Sequence, residues 1–248
     1  MTEIRAVIPS HASRNKFMKT HSCLVRLSII LVSLSLNPTL QAGSPEYRSE
    51  LFKSTRLVYE DYFDGPLNPD FWEIRQSSTW VIKDGVLTGS SSPKEFQEKM
   101  IAKGDKAHAG FKPVIWLKQV PENFVCTMRM RYNAKAYQRG FPLLDLGHHI
   151  HTLVFDEKAT TLTIKKDVET IKVDEQFLPL NKWVDVTLEL KKGTILLKID
   201  GKKRVFASPQ IDMAGQHQID FKGVDFGTCQ IDHIKLWEGL LTTPASGK

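Results

Sequence analysis

The chain of 248 residues is poor in cysteine and has no long apolar stretch beyond its first 42 residues. Of the three cysteines, Cys23 lies in the N-terminal segment described below, and two cysteines are too few to define a disulfide scaffold. A membrane-spanning helix needs about 20 consecutive apolar residues, and no such run follows residue 42. We therefore expect a domain that is stabilised by an apolar core and has no membrane anchor.

Motifs of several enzyme classes are also missing. The chain has no GxGxxG motif, P-loop, CxxC pair or nucleophile elbow, which argues against nucleotide cofactors and serine hydrolase chemistry. It has no Glu-x-Asp-x-x-Glu run, the arrangement that sugar-cleaving jelly rolls place on one strand face as their acid and nucleophile. A conventional retaining glucanase is disfavoured, and we predict no cofactor.

The first 42 residues have the pattern of a secretory signal peptide. Lys19 and Arg26 precede an apolar run, residues 27–36, and Pro38 and the small residue Ala42 follow it. We expect residues 1–42 to be an N-terminal extension and signal peptide, with Met18 as an alternative start. Residues 43–248 are then a single β-sandwich domain of a secreted or periplasmic, monomeric protein.

Most of the net positive charge belongs to this leader. The whole chain has 34 basic and 28 acidic residues; without the five basic residues and one acidic residue of the leader, 29 and 27 remain. No run of Lys and Arg interleaved with aromatic residues occurs in the remainder. We predict no nucleic-acid partner.

Alternating apolar and polar residues predict antiparallel strands. Every second residue from Val184 to Leu190 is apolar, and turn residues at 191–193 and 200–201 lead into further strands at 194–199 and 202–206. No window of 12 or more residues after residue 42 has a helical period, so helices should be limited to short turns near 92–97. The pattern predicts two packed antiparallel sheets, each burying one face.

The segment 124–131 alternates in the same way, and it places Arg129 and Arg131 on the polar face of a strand. We interpret both as substrate-binding residues, because a guanidinium group can donate two hydrogen bonds to hydroxyls or to a uronate. Cys126 and Cys229 both lie in predicted strands. The sequence leaves open whether they form a disulfide or remain buried thiols.

The richest polar segment is 145–151, Asp-Leu-Gly-His-His-Ile-His. A strand that begins at His148 would place His149 and His151 together on one face. Two such histidines suit a metal ion, but hydrogen-bonded histidines on a polar sheet face are the simpler interpretation, so both are predicted to bind substrate. Trp116 is a further candidate, because a pyranose ring stacks on an indole; alternatively it belongs to the apolar strand 114–117.

Several segments of the sequence resemble those of a known family. Phe63-Asp64-Gly65, Trp72 and the segment 80–87 (Trp-x-x-x-Asp-Gly-Val-Leu) resemble the opening of the concanavalin A-like jelly-roll domains of the DUF1080, or 3-keto-disaccharide hydrolase, family. Segments 182–183, 199–202 and 226–237 are similar to the family's last strands. The resemblance implies an all-β, two-sheet antiparallel jelly-roll sandwich that binds carbohydrate across its concave sheet.

The resemblance also implies candidate catalytic residues. Members of the family carry an isolated histidine and a Gly-His pair that correspond here to His108 and to Gly147-His148. In this interpretation Asp145 orients His148 as a general base, and His108 lies opposite to it. Such a pair could remove a proton next to the carbonyl of a keto-sugar, as a hydrolase or lyase would. The alternatives are that His148 caps a strand edge and that the protein is a non-catalytic carbohydrate-binding module.

Overall fold

The computed structural model describes residues 47–165 and 168–241; the predicted signal peptide lies outside these ranges. The described residues belong to one compact unit and form fifteen strands, one α-helix and one 3₁₀-helix. The strands are β1 (Ser54–Asp61), β2 (Trp72–Ile74), β3 (Thr79–Lys83), β4 (Val86–Ser90), β5 (Val114–Lys118), β6 (Phe124–Asn133), β7 (Leu143–Leu146), β8 (His151–Phe155), β9 (Thr160–Ile164), β10 (Glu169–Val173), β11 (Val184–Lys191), β12 (Thr194–Ile199), β13 (Lys202–Ala207), β14 (Gln218–Lys222) and β15 (Thr228–Leu240). Helix α1 is Lys94–Ala102, and the 3₁₀-helix is Lys106–His108.

The strands form two antiparallel sheets. The eight-stranded sheet has the order β13-β12-β11-β6-β15-β4-β3, with β1 also paired to β15. The seven-stranded sheet has the order β10-β9-β8-β7-β14-β5-β2. The predicted fold class, an all-β two-sheet antiparallel jelly-roll sandwich, is confirmed.

The core lies between the two sheets. Alternate residues of β11 from Val184 to Leu190 are buried, as are Leu144 and Leu146 on β7 and Ile219 and Phe221 on β14. Burying each such side chain contributes about 1.5–3 kcal/mol. Since the apolar residues of each strand face this core, the polar residues between them point to the outer faces of the sandwich.

Strand positions agree closely with the alternation in the sequence. The predicted strands at 184–190, 194–199 and 202–206 correspond to β11, β12 and β13, which pair in that order as a meander. Helix α1 is longer than the predicted turn, but it has no buried residue. Among the described residues, no helix has the length and apolar character required to cross a membrane.

The two cysteines are free and buried. On β15, Cys229 lies opposite Tyr132 of β6, whereas Cys126 of β6 lies opposite Leu236 of β15. The six-residue offset along β6 separates the two cysteines by about 20 Å. This distance is far beyond the roughly 7 Å that a disulfide can span.

Candidate functional site

Two carboxylates lie side by side on the outer face of the seven-stranded sheet. Asp145 on β7 is the register partner of Asp220 on β14, and both are fully buried. Lys222, also on β14, places its Nζ atom 2.9 Å from Oδ2 of Asp145 and 3.2 Å from Oδ2 of Asp220. One ammonium group is therefore shared by two carboxylates.

Each carboxylate is also paired with one imidazole. Nδ1 of His148 lies 3.0 Å from Oδ2 of Asp220, and Nδ1 of His149 lies 3.1 Å from Oδ2 of Asp145. The two histidine side chains are 42% and 51% exposed, and their ring centroids are 4.3 Å apart. The arrangement consists of two adjacent His-carboxylate pairs whose imidazoles reach solvent.

The second oxygen of each carboxylate accepts a hydrogen bond from a neutral donor. Thr152 Oγ1 donates to Oδ1 of Asp145 at 2.8 Å, and Gln218 Nε2 donates to Oδ1 of Asp220 at 2.8 Å. The buried carboxylates are thus fully hydrogen-bonded, as burial of a charged group requires. With neutral imidazoles, the two carboxylates and one ammonium leave a net charge of −1.

A tight turn between β7 and β8 orients both histidine side chains toward the carboxylates. Gly147, His148 and His149 have φ values of 69°, 31° and 71°, a left-handed conformation that costs a non-glycine residue about 1–2 kcal/mol. Gly147 N donates to Gln218 O at 2.9 Å, which holds the turn against β14. A side chain at Gly147 would lie 2.9 Å from Cβ of Gln216, so this position requires glycine.

His149 has a lowered pKa. Burial is the main cause, and the ammonium of Lys222 lowers the pKa further, while Asp145 acts in the opposite direction. The lowered pKa favours the neutral imidazole, which is the form that accepts a proton.

Trp116 borders the cluster. It lies on β5 as the register partner of Asp220, and its ring centroid is 4.9 Å from that of His148. The guanidinium carbon of Arg75 lies 3.9 Å from the centre of the indole ring, and Arg75 in turn forms an ion pair with Glu73. Because Arg75 covers the ring, a sugar could stack on Trp116 only if Arg75 moved. The indole Nε1 of Trp116 is buried and has no hydrogen-bond partner among the described residues.

The prediction that His149 and His151 share one strand face is wrong. Strand β8 begins at His151 and not at His148, because residues 147–150 form the turn. His151 pairs with Leu146 across the strands, faces the core and is fully buried, with its Nε2 2.7 Å from Asp212 O. It therefore does not line the outer face on which His149 lies.

Two further predicted relationships also differ. The carboxylate that orients His148 is Asp220, whereas Asp145 orients His149. His108 lies in the 3₁₀-helix with its Nδ1 2.8 Å from Asp105, and within the described ranges no hydrogen bond or ion pair joins it to the histidine turn.

Arg129 and Arg131 lie on β6, in the eight-stranded sheet. Their neighbours Met128 and Met130 are buried in the core, so both arginines point to the outer face of that sheet. This face is on the other side of the sandwich from His148. The arginines therefore cannot contact a ligand that is bound at the histidine turn.

Sequence reasoning missed Asp220 and Lys222. Both lie in the segment 218–222, Gln-Ile-Asp-Phe-Lys, whose two apolar residues face the core and whose three polar residues face outward. An acid and a base two residues apart on one strand face were the available signal. Their contact with Asp145 depends on the pairing of β14 with β7, more than 70 residues away in the chain.

Three of these side chains could also offer metal ligands. One ligand atom each from Asp145, His148 and His149 lies within 4.8 Å of the others. A cation at this position would compete with Lys222, whose ammonium already contacts Asp145. Repulsion between the two positive charges disfavours a metal ion while Lys222 is protonated.

No protein-family model matches the chain, and no curated protein sequence matches it. The fold is similar to that of an endo-β-galactosidase from Clostridium perfringens that releases GlcNAcα1-4Gal, with a TM-score of 0.52 and 10% identity over 75% of this chain, which spans 63% of that protein. It is also similar to SCLam, a non-specific endo-β-1,3(4)-glucanase from family GH16, with a TM-score of 0.50 and 13% identity over 76% of this chain and 92% of that one. A third similar structure is LamA from Z. galactanivorans in complex with laminaritriose and laminaritetraose, with a TM-score of 0.50 and 12% identity over 75% of this chain and all of that one (100%). At 10–13% identity these similarities show the fold alone, a two-sheet antiparallel jelly roll.

Proposed function

We propose that this protein is a carbohydrate-active enzyme, a lyase or hydrolase of keto-sugars, in which His148 and His149 transfer protons. The observation that carries the proposal is the pair of adjacent His-carboxylate contacts described above. Each buried carboxylate fixes one ring nitrogen, so the opposite nitrogen, Nε2, is left to exchange a proton with a bound molecule. Such positioned acids and bases typically accelerate proton transfer 10²–10⁴-fold.

The chemistry follows from the protonation of the two rings. A neutral imidazole takes the proton from the carbon next to the sugar carbonyl, and the C–H electron pair forms an enolate. When the enolate re-forms its carbonyl, the electron pair expels the glycosidic oxygen, which takes a proton from the second imidazole in its protonated form. We assign the base to His149, because burial and Lys222 favour its neutral form, and the acid to His148.

The family resemblance of segments 80–87 and 226–237 supports a keto-sugar substrate. Membership of the 3-keto-disaccharide hydrolase family and export from the cytoplasm remain part of this proposal. The structural neighbours act on galactosides and β-glucans, which supports carbohydrate as the substrate class. The lack of a Glu-x-Asp-x-x-Glu run argues for chemistry other than theirs.

The test is hydrogen exchange at the substrate. The purified protein is incubated in D₂O with a 3-keto-disaccharide and, separately, with the parent disaccharide, and deuterium incorporation and products are followed by mass spectrometry. We expect incorporation or cleavage with the keto-sugar alone, and a loss of at least about 100-fold in His149→Gln and in His148→Gln. His108→Gln is the matched histidine control and should retain activity.

Two results would contradict this proposal. Turnover that is unchanged in both His148→Gln and His149→Gln would exclude the paired imidazoles from the reaction. Binding of sugars without exchange or cleavage would favour the non-catalytic carbohydrate-binding module.

A further inference from the structure

A row of polar and aromatic side chains crosses the outer face of the eight-stranded sheet. Thr88 on β4 is paired with Gln230 on β15, which is paired with Arg131 on β6. Because Val184 lies opposite Met130, Trp183 comes next to Arg131, directly before β11 begins. The row covers four adjacent strands and is therefore about 14 Å long.

Hydrogen bonds hold the row in place. Gln230 Nε2 donates to Thr88 Oγ1 at 3.1 Å, and its Oε1 accepts from Nε of Arg131 at 2.9 Å and from Nδ2 of Asn133 at 2.8 Å. These planar groups are linked side by side before any ligand binds. A preorganised surface loses less side-chain freedom on binding than a mobile one.

The aromatic end of the row is flanked by two guanidinium groups. The guanidinium carbons of Arg131 and Arg129 lie 4.8 Å and 5.3 Å from the ring centre of Trp183. Trp183 is partly exposed, and it is preceded by the exposed Lys182. The two guanidinium groups cover part of the indole ring, so a pyranose contacts the part of Trp183 that stays exposed, and the guanidinium groups can donate hydrogen bonds to it.

The charges of the two arginines are balanced differently. Arg129 pairs with Asp232 at 3.0 Å. Arg131 donates to the neutral amide oxygen of Gln230, and in the described part of the chain no carboxylate lies within ion-pair distance of it. The row thus carries an uncompensated positive charge directly beside Trp183.

From these observations we propose that this face is a second carbohydrate-binding site, which takes an acidic polysaccharide. A sugar ring contacts Trp183, and the carboxylate of a uronate binds the guanidinium of Arg131. The surface lies on the other side of the sandwich from the histidine turn, so it anchors the protein to a polymer without occupying the proposed reaction site.

Affinity electrophoresis and calorimetry with polygalacturonate and alginate test this site, with the neutral glucan laminarin for comparison. We expect the acidic polymers to bind and laminarin to bind at least 10-fold more weakly. Trp183→Ala and Arg131→Gln should each weaken binding of the acidic polymers at least 10-fold. Raising the salt concentration from 50 to 500 mM should weaken it in the wild type, because the ionic contact is exposed to solvent.

Two control variants locate the binding. Lys172→Gln also removes one exposed positive charge but lies on β10 of the other sheet, and it should leave the affinity unchanged. His148→Gln should also bind as the wild type does, whatever its effect on catalysis. Trp183→Phe keeps an aromatic ring at the site and should bind with intermediate affinity. Unfolding midpoints equal to that of the wild type would show that the variants lose binding and not folding.

The site is overturned by any of three results. One is the absence of binding to both acidic polymers. Another is affinity that Trp183→Ala and Arg131→Gln leave intact, or that His148→Gln removes. The third is equal affinity for laminarin, which would exclude selection for acidic sugars.

Discussion

Nδ1 of His148 lies 3.0 Å from Oδ2 of Asp220, so a fully buried carboxylate on β14 orients a partly exposed imidazole. The neighbouring contact between His149 and Asp145 repeats this arrangement one strand away. Lys222 joins the two pairs, because its ammonium contacts both carboxylates. The five side chains therefore form one electrostatic unit, and a change in one alters the others.

Lys222 is the residue on which the stability of this unit depends. In Lys222→Met, Asp145 and Asp220 lose their shared cation while they remain buried, and we expect the free energy of unfolding to fall by about 3–5 kcal/mol. Urea unfolding at pH 7 measures this loss. Lys118→Met removes a more exposed lysine from the same sheet and should change the stability by about 0.5 kcal/mol or less.

The same substitution should raise the pKa of His149. The ammonium of Lys222 lowers that pKa in the wild type, so its removal favours the protonated imidazole. An NMR titration of the imidazole protons of His149 gives the direction of the change. A lower pKa in Lys222→Met, or a stability equal to that of the wild type, would contradict the charge arrangement described here.

Sequence patterns predicted the fold because the alternation of apolar and polar residues shows which face of each strand is buried. The strand from Val184 to Leu190 and the polar positions of Arg129 and Arg131 are both explained by this period of two. Alternation does not tell which sheet a strand joins, however, so it could not show that both arginines lie on the other side of the sandwich from His148. Sheet membership depends on pairings between strands that are distant in the chain.

The histidine segment was misassigned for a local reason. His148 and His149 both have positive φ, a conformation that is not predictable from a histidine in the sequence. They form a turn, so β8 begins only at His151. Within β8, His151 shares its face with the buried Leu153 and Phe155 and therefore faces the core, whereas His149 lies in the turn. The sequence predicted that Asp145, His148 and His149 belong to the candidate site, but not that Asp220 completes it or which carboxylate each histidine contacts.

Burial of His151 predicts loss of stability in acid. Burial lowers its pKa, and Lys165 acts in the same direction, while its contacts with Asp212 and the charge of Asp145 oppose the shift. The unfolded chain therefore binds a proton more readily than the folded protein does. Stability is complete above the unfolded pKa of about 6.5 and decreases as the pH falls below it, by up to about 1.4 kcal/mol per pH unit for one such group.

Urea unfolding at several pH values between 7.5 and 5 measures this dependence in the wild type and in His151→Gln. The substitution removes the titrating group, so the slope between pH 6.5 and 5 should become smaller. His149, whose pKa is also lowered, contributes to the remaining slope. Equal slopes in the two proteins would mean that the pKa of His151 is the same in the folded and the unfolded chain.

Glu189 attaches the N-terminal end of the described chain to the eight-stranded sheet. This fully buried carboxylate accepts hydrogen bonds from Tyr47 Oη at 2.7 Å, Ser49 Oγ at 2.6 Å, Glu50 N at 3.0 Å and Leu51 N at 2.9 Å. Glu189→Ala leaves four donors without this acceptor, and we expect it to cost about 3 kcal/mol.

Thermal and urea unfolding of Glu189→Ala measure this cost, and Glu189→Gln should lose less because an amide oxygen still accepts. Glu175→Ala is the control, since the ion pair of Glu175 with Lys202 is exposed and worth about 1 kcal/mol at most. A loss in Glu189→Ala no larger than in the control would show that the N-terminal segment does not depend on this carboxylate.

The cysteines provide a test of strand register. Cys126 and Cys229 occupy positions about 20 Å apart along the core, and burial raises the pKa of both thiols. We expect neither thiol to react with a thiol reagent in the folded protein, because the reactive thiolate is disfavoured and the sulfur atoms are inaccessible. Both should react once guanidinium chloride unfolds the chain.

The same register predicts that oxidising conditions do not stabilise the protein. The unfolding midpoint should be equal with and without a reductant, and the thiol content, measured after unfolding, should not fall when the folded protein is incubated with an oxidant. A disulfide between the two residues would require β15 to slide by about six positions along β6. That shift would also break the pairing of Cys229 with Tyr132 and displace the row formed by Gln230 and Arg131. Loss of two thiols on oxidation would therefore contradict both this strand register and the second binding surface.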